Sequence, residues 1–105
     1  MARATKLSER EIIDQIKELE GWTLRSGSLH KTFKFLDFVE AFGFMTQVAL
    51  LAETMDHHPD WSNGYSRVTI DLVTHDAGGI SVKDFQLAKG IEALPLSRGK
   101  GIPAS

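Results

Sequence analysis

Residues 67–74 of this chain alternate without a break: Val68, Ile70, Leu72 and Thr74 fall on one side, Arg67, Thr69, Asp71 and Val73 on the other. Successive side chains of an extended backbone point to opposite faces, so the segment reads as a strand with one face against a core. One-sided burial is the habit of antiparallel sheets, whereas parallel strands are covered on both faces and lose the alternation. A strand of this kind needs a partner close by in the chain. The candidate is residues 61–66, although Asn63-Gly64 inside it favours a tight turn and leaves the register of the hairpin open.

The same arrangement occurs earlier, where residues 22–25 and 29–35 read as strands joined through Ser26-Gly27, a tight-hairpin pair. Helices fit between and around these hairpins. Ser8 and Glu11 have capping-box spacing, with Ile12, Ile13, Ile16 and Leu19 on one face and Gly21 as the stop. Asp37 and Glu40 repeat that spacing at the head of a longer helix through about Met55. Its Phe38, Phe42, Met45, Ala49 and Ala52 recur at helical spacing and are expected to face the core. Pro59 suits a chain that has already left the helix. Gly78-Gly79 breaks the chain, and Ser81 with Asp84 opens a third helix carrying Phe85, Ala88, Ile91 and Leu94. Pro95 stops it, and residues 96–105 have no periodicity and read as a loosely held tail.

The expected fold is therefore α+β and two-layered. A four-stranded antiparallel sheet carries its helices on one face, in the order β-β-α-β-β-α preceded by an N-terminal helix. With 105 residues, the chain reads as one domain, 1–105, large enough for a core without staples. The absence of cysteine removes disulfides, thiolate metal sites and cysteine nucleophiles. A net charge of −2, with acids and bases interspersed, gives no footprint for direct nucleic-acid binding or an anionic membrane. The first ten residues hold no apolar segment, and the longest apolar run is 48–52, so a cytoplasmic protein without a membrane span is expected. Four strands leave two edges, which together with the helical surfaces suits a homodimer or a homotetramer.

Three of the four histidines fall at ends of elements. His57 and His58 follow the long helix, His75 follows the alternating strand, and His30 lies mid-strand as a half-exposed surface residue. His75 is in phase with Asp71 and Val73, so a regular strand would turn it away from the helix-covered core, toward a sheet end or the open face that substrate can reach. The residue types support three readings. A general acid–base site suits imidazole near neutral pH, with Glu53, Asp56, Asp60 and Asp84 available to tune it. A metal site has sufficient ligands, though in no familiar zinc spacing. In the third reading His57 sits favourably at a helix C-terminus and the others are surface residues.

The segment Glu53-Thr-Met-Asp-His-His-Pro-Asp-Trp, followed by Tyr65, Thr74-His75-Asp76 and Asp84, resembles the pterin-4a-carbinolamine dehydratase family. The family signature is an acid, three residues, His-His-Pro, an aromatic after five more, a histidine after nine, and then an aspartate. Glu53, His57, His58, Pro59, Tyr65, His75 and Asp84 fill those positions, and the element order agrees from about residue 8 to 94. The resemblance implies a two-layer α+β fold and a hydro-lyase that removes water from 4a-hydroxytetrahydrobiopterin, giving quinonoid dihydropterin for tetrahydrobiopterin recycling. It implies no metal and no cofactor.

The resemblance also implies residue roles. His57 and His75 would form the proton-transfer pair, and His58 would complete the pocket and contact substrate. The chain around Asp56, His57 and His58, and around Val73, Thr74 and His75, would hold the pterin. Glu53 would orient a histidine or be solvated, Asp84 would serve both the site and the cap of its helix, and Trp61 would pack beside the site or be a plain core or interface tryptophan. Animal members of the family also bind a homeodomain transcription factor, so a role as dimerisation cofactor or coactivator is the alternative; nothing in these residues encodes such a partner.

Overall fold

The computed structural model describes residues 4–94; the Pro95 stop and the tail expected at 96–105 lie outside the described residues. The elements run α1 (Glu9–Ile16), β1 (Thr23–Arg25), β2 (Ser28–Lys34), α2 (Phe38–Met55), β3 (Asp60–Gly64), β4 (Arg67–Leu72) and α3 (Val82–Glu92), with a 3-10 turn at His75–Ala77 before α3. The strands form one antiparallel sheet in the order β1-β2-β4-β3. This is the expected α+β architecture.

Alternation decides which face of the sheet is covered. Leu29 and Phe33 of β2 and Val68, Ile70 and Leu72 of β4 are buried with Ala41, Phe44, Val48 and Ala52 of α2 and Phe85, Leu87, Ala88 and Ile91 of α3. Thr32, Thr69 and Asp71 lie on the opposite, partly open face. Phe44 holds the layers together, its ring centroid 4.7 Å from Phe33 and 4.9 Å from Phe35. Truncating a ring at the centre of such a cluster costs about 3–5 kcal/mol. Lys31 also lies on the covered face, where its Nζ meets Glu92 Oε2 at 2.7 Å and the Glu20 carbonyl at 3.0 Å. Burying an ammonium is tolerable only with such partners, and the bridge ties β2 to the end of α3.

Caps and turns follow the sequence closely, with two exceptions. Ser26 and Gly27 both take positive φ, 51° and 81°, as a two-residue hairpin turn requires. Ser8 and Glu11 form the expected capping box, but α1 ends at Ile16 and a turn carries the chain to Gly21. The other hairpin does not turn at Asn63-Gly64. Both residues stay in β3, paired with Val68 and Arg67, and the loop is Tyr65-Ser66. The Asn63 amide donates to the carbonyls of Tyr65 and Arg67, so it braces the turn from the strand beside it.

The face of α2 is the main correction. Phe38, Phe42 and Ala49 are exposed, Met45 is half-buried, and of the five residues expected in the core only Ala52 is fully inside. The buried stripe is Ala41, Phe44, Val48 and Ala52. Val39 and Leu50 are exposed as well, so α2 is apolar nearly all round, and its periodicity could not choose between faces.

Candidate active site

The site begins where α2 ends. Asp56 takes the left-handed conformation, φ 50° and ψ 42°, which short polar side chains tolerate better than most. Its N–H donates to the Glu53 carbonyl and the N–H of His57 donates to the Ala52 carbonyl. This pair of bonds is the Schellman closure of a helix. It turns the chain back sharply, so that adjacent histidines leave in different directions.

His57 goes inward. Its Nε2 lies 2.6 Å from Asp84 Oδ1, and the histidine side chain is only 11% exposed while Asp84 is 0% exposed. Asp84 is the third residue of α3, and its other oxygen, Oδ2, accepts from the Ser81 N–H at 2.9 Å and from the Thr74 hydroxyl at 2.8 Å. Ser81 and Asp84 thus complete the capping box of α3, and the same carboxylate holds His57. The carboxylate that caps α3 is thus the one that contacts His57. Thr74 is set against it because an isolated bridge pairs Thr74 with Gly79, after β4 has ended at Leu72.

His58 and His75 stay outside. His58 Nε2 meets Glu53 Oε1 at 2.8 Å, with side chains 58% and 79% exposed, so this pair faces solvent. His75 Nε2 lies 3.5 Å from Asp60 Oδ2. Asp60 opens β3 directly after Pro59, so the contact draws His75 toward the His-His-Pro segment. His75 follows β4, as expected; it opens the 3-10 turn rather than keeping the phase of the strand, and it is 79% exposed. All three histidines of the signature therefore have a carboxylate partner.

The remaining expected residues are scattered. Val73 is half-buried in the link between β4 and the 3-10 turn. Trp61 pairs with Ile70 and packs against the core cluster. Tyr65 sits exposed at the tip of the β3–β4 loop. His30 belongs elsewhere: its Nδ1 meets Asp71 Oδ1 at 2.8 Å, beside an open hollow of about 420 Å³ that Arg25, Ser28 and Thr69 also line. Among the described residues no group of three or more His, Asp or Glu could hold a metal ion, and no helix is long and apolar enough to cross a membrane. Thr74 and Ser81 are the parts of the network that sequence reading did not bring to the histidines as side chains. Their only signal was position, one beside His75 and one at the cap of α3.

Residues 5–94 match the model of the family described as Pterin 4 alpha carbinolamine dehydratase. A protein of Solibacter usitatus (strain Ellin6076), named "Putative pterin-4-alpha-carbinolamine dehydratase", is 60% identical over 90 residues, covering 86% of this chain and 95% of its own. A protein of the same name from Prochlorococcus marinus (strain MIT 9303) is 52% identical over 91 residues, covering 87% and 95%. Among solved structures, one described as a transcriptional coactivator/pterin dehydratase from Brucella melitensis superposes with a TM-score of 0.82 at 41% identity, covering 85% of this chain and 97% of that one.

Proposed function

The chain belongs to the pterin-4-alpha-carbinolamine dehydratase family, and on that footing we propose that it eliminates water from a 4a-hydroxytetrahydropterin by histidine acid–base catalysis. The observation that carries this reading is His57 held at 2.6 Å by a fully buried carboxylate, Asp84, within the family's His-His-Pro segment.

The reaction is a balanced elimination. The C4a–O bond breaks, a proton leaves N5 for a base, an acid gives a proton to the departing hydroxide, and the N5=C4a double bond forms. No electrons are gained or lost overall, so the step asks only for proton donors and acceptors. His57 and His75 are the pair assigned to these transfers, each worth on the order of 10²–10⁴-fold, and exposed His58, oriented by Glu53, contacts the pterin. The backbone at 56–58 and 73–75 and the edge of Trp61 complete the substrate site. In the cell this would serve tetrahydropterin recycling in the cytoplasm.

The test is to present freshly made 4a-hydroxytetrahydropterin and follow its dehydration optically. Acceleration by the wild type that falls about 100-fold in His75→Ala supports the reading; a wild-type rate equal to that of buffer ends it. Activity unchanged after exhaustive chelation would set aside the metal alternative.

A second reading, protein binding, is favoured by the exposed apolar side chains Leu36, Phe38, Val39, Phe42 and Leu50, a kind of patch that monomers seldom leave bare. It covers a homodimer or homotetramer as well as a foreign partner, as the coactivator description of the Brucella protein suggests. Light scattering on the purified chain separates these, and a stoichiometric partner retained by His57→Ala would favour binding without chemistry.

A further inference from the structure

The Asp84 carboxyl is surrounded by donors: the Ser81 N–H, the Thr74 hydroxyl and the His57 ring. A carboxylate only accepts, which sets the direction of every bond around it. Thr74 has one hydroxyl proton, and it goes to Asp84 Oδ2 at 2.8 Å. The 2.6 Å contact between the Thr74 and Ser81 hydroxyls must then be donated by Ser81. Oδ2 is held from two directions, so the carboxyl group cannot rotate freely, and Oδ1 is presented to His57.

We propose that Thr74 and Ser81 are positioning residues that, through Asp84, lock His57 as its Nε2–H tautomer and leave Nδ1 as the nitrogen that exchanges protons with substrate. Two further facts point the same way. Among the described residues no hydrogen bond engages His57 Nδ1, the ring's single polar contact being Nε2 to Asp84. No buried side-chain nitrogen or oxygen among them lacks a partner, so the partnerless Nδ1 of half-buried His57 opens to solvent. Thr74 is 5% exposed and Ser81 0%, which keeps water from replacing either hydroxyl. A tautomer held by a hydrogen bond on the far nitrogen is a familiar way to aim an imidazole.

The proposal rests on His57 acting in proton transfer, and its test can be read without the reaction. In protein labelled with ¹⁵N-histidine, at a pH where His57 is neutral and with its resonances assigned by their loss in His57→Gln, long-range proton–nitrogen correlation distinguishes the tautomers. The expected result is pyrrole-type Nε2 and pyridine-type Nδ1. Thr74→Val, which keeps the shape and removes the hydroxyl, should mix the tautomers and lower kcat about 10-fold, the lower end for removing a hydrogen-bonded support, with KM changed less than about 2-fold. Thr74→Ser should restore both. A wild-type His57 protonated on Nδ1 would overturn the proposal even if no variant folds, and so would Thr74→Val that keeps both the pure tautomer and kcat. A wild type with the expected tautomer but no activity on the carbinolamine would overturn the dehydratase reading and leave the lock standing.

Discussion

Two helices of this chain start on the same device. Ser8 with Glu11 opens α1 and Ser81 with Asp84 opens α3, and in each the serine oxygen and the acid three residues on satisfy each other's backbone N–H groups. At α1 the box is exposed and its contacts are entirely local. At α3 the acid is completely buried and reaches two further segments, the turn after α2 through His57 and the link after β4 through Thr74. The same spacing of serine and acid is a helix start in one place and the anchor of a candidate active site in the other. The difference is burial, which raises the penalty for any unpaired polar group and stiffens every bond that relieves it.

The most severe way to break the contrast is Asp84→Ala. It takes the acceptor away from the Ser81 N–H, the Thr74 hydroxyl and the ring of His57 in a largely buried site, and removing one member of a buried pair costs about 3–5 kcal/mol. Urea denaturation should show that loss, and dehydration should fall at least about 100-fold in protein still folded; a loss below about 1 kcal/mol would refute the role given to burial. Ser81→Ala keeps the carboxylate but removes a cap and a hydroxyl donor, for about 1–2 kcal/mol. Its counterpart Ser8→Ala should cost about 1 kcal/mol or less and leave kcat alone. The ratio of these two serine effects measures what burial adds.

Exposed acids should behave more mildly. Glu53→Gln loosens the solvent-facing pair with His58 and should change stability by no more than about 0.5 kcal/mol, so its effect is sought in KM for the pterin. The smallest expected effect is at Glu11, whose carboxyl is held below the ordinary carboxylate range by the backbone hydrogen bond from Ser8 and then by the Ser8 side chain. A carboxyl lowered by folding contributes stability above its unfolded value and loses it as pH falls through the folded one. The stability gap between wild type and Glu11→Gln should therefore narrow on going from pH 7 to acid below the normal glutamate range. A gap that widened in acid would contradict the assignment.

How much of this was legible in the sequence depends on whether the signal is local. The alternation of β4, the three caps and the Ser26-Gly27 turn are decided by residues a few positions apart, and each stands where it was expected. The face of α2 was misjudged because apolar residues surround that helix, so spacing alone could not decide whether Phe42 or Phe44 is inside. Asn63-Gly64 has strong turn chemistry, yet pairing with Val68 and Arg67 in β3 outweighs it. In the site, the signature picked out the histidines and the acids but not their pairing. His57 and Asp84 are 27 residues apart, and only the packing of α3 beside the end of α2 makes them neighbours. Thr74 and Ser81 were visible only as a residue beside His75 and as a cap.

Every side chain assigned to the proposed chemistry lies on the unbroken stretch from Glu53 to Asp84, while α1, β1 and β2 supply core and sheet. That separation divides the gene into two kinds of position. In a library of random variants scored for both cellular abundance and turnover, changes in residues 9–34 should move the two scores together, because they can reach the reaction only through folding. Changes at Glu53, His57, His58, Thr74 or His75 should separate them. The boundary between those behaviours would trace the site on the protein without any ligand bound.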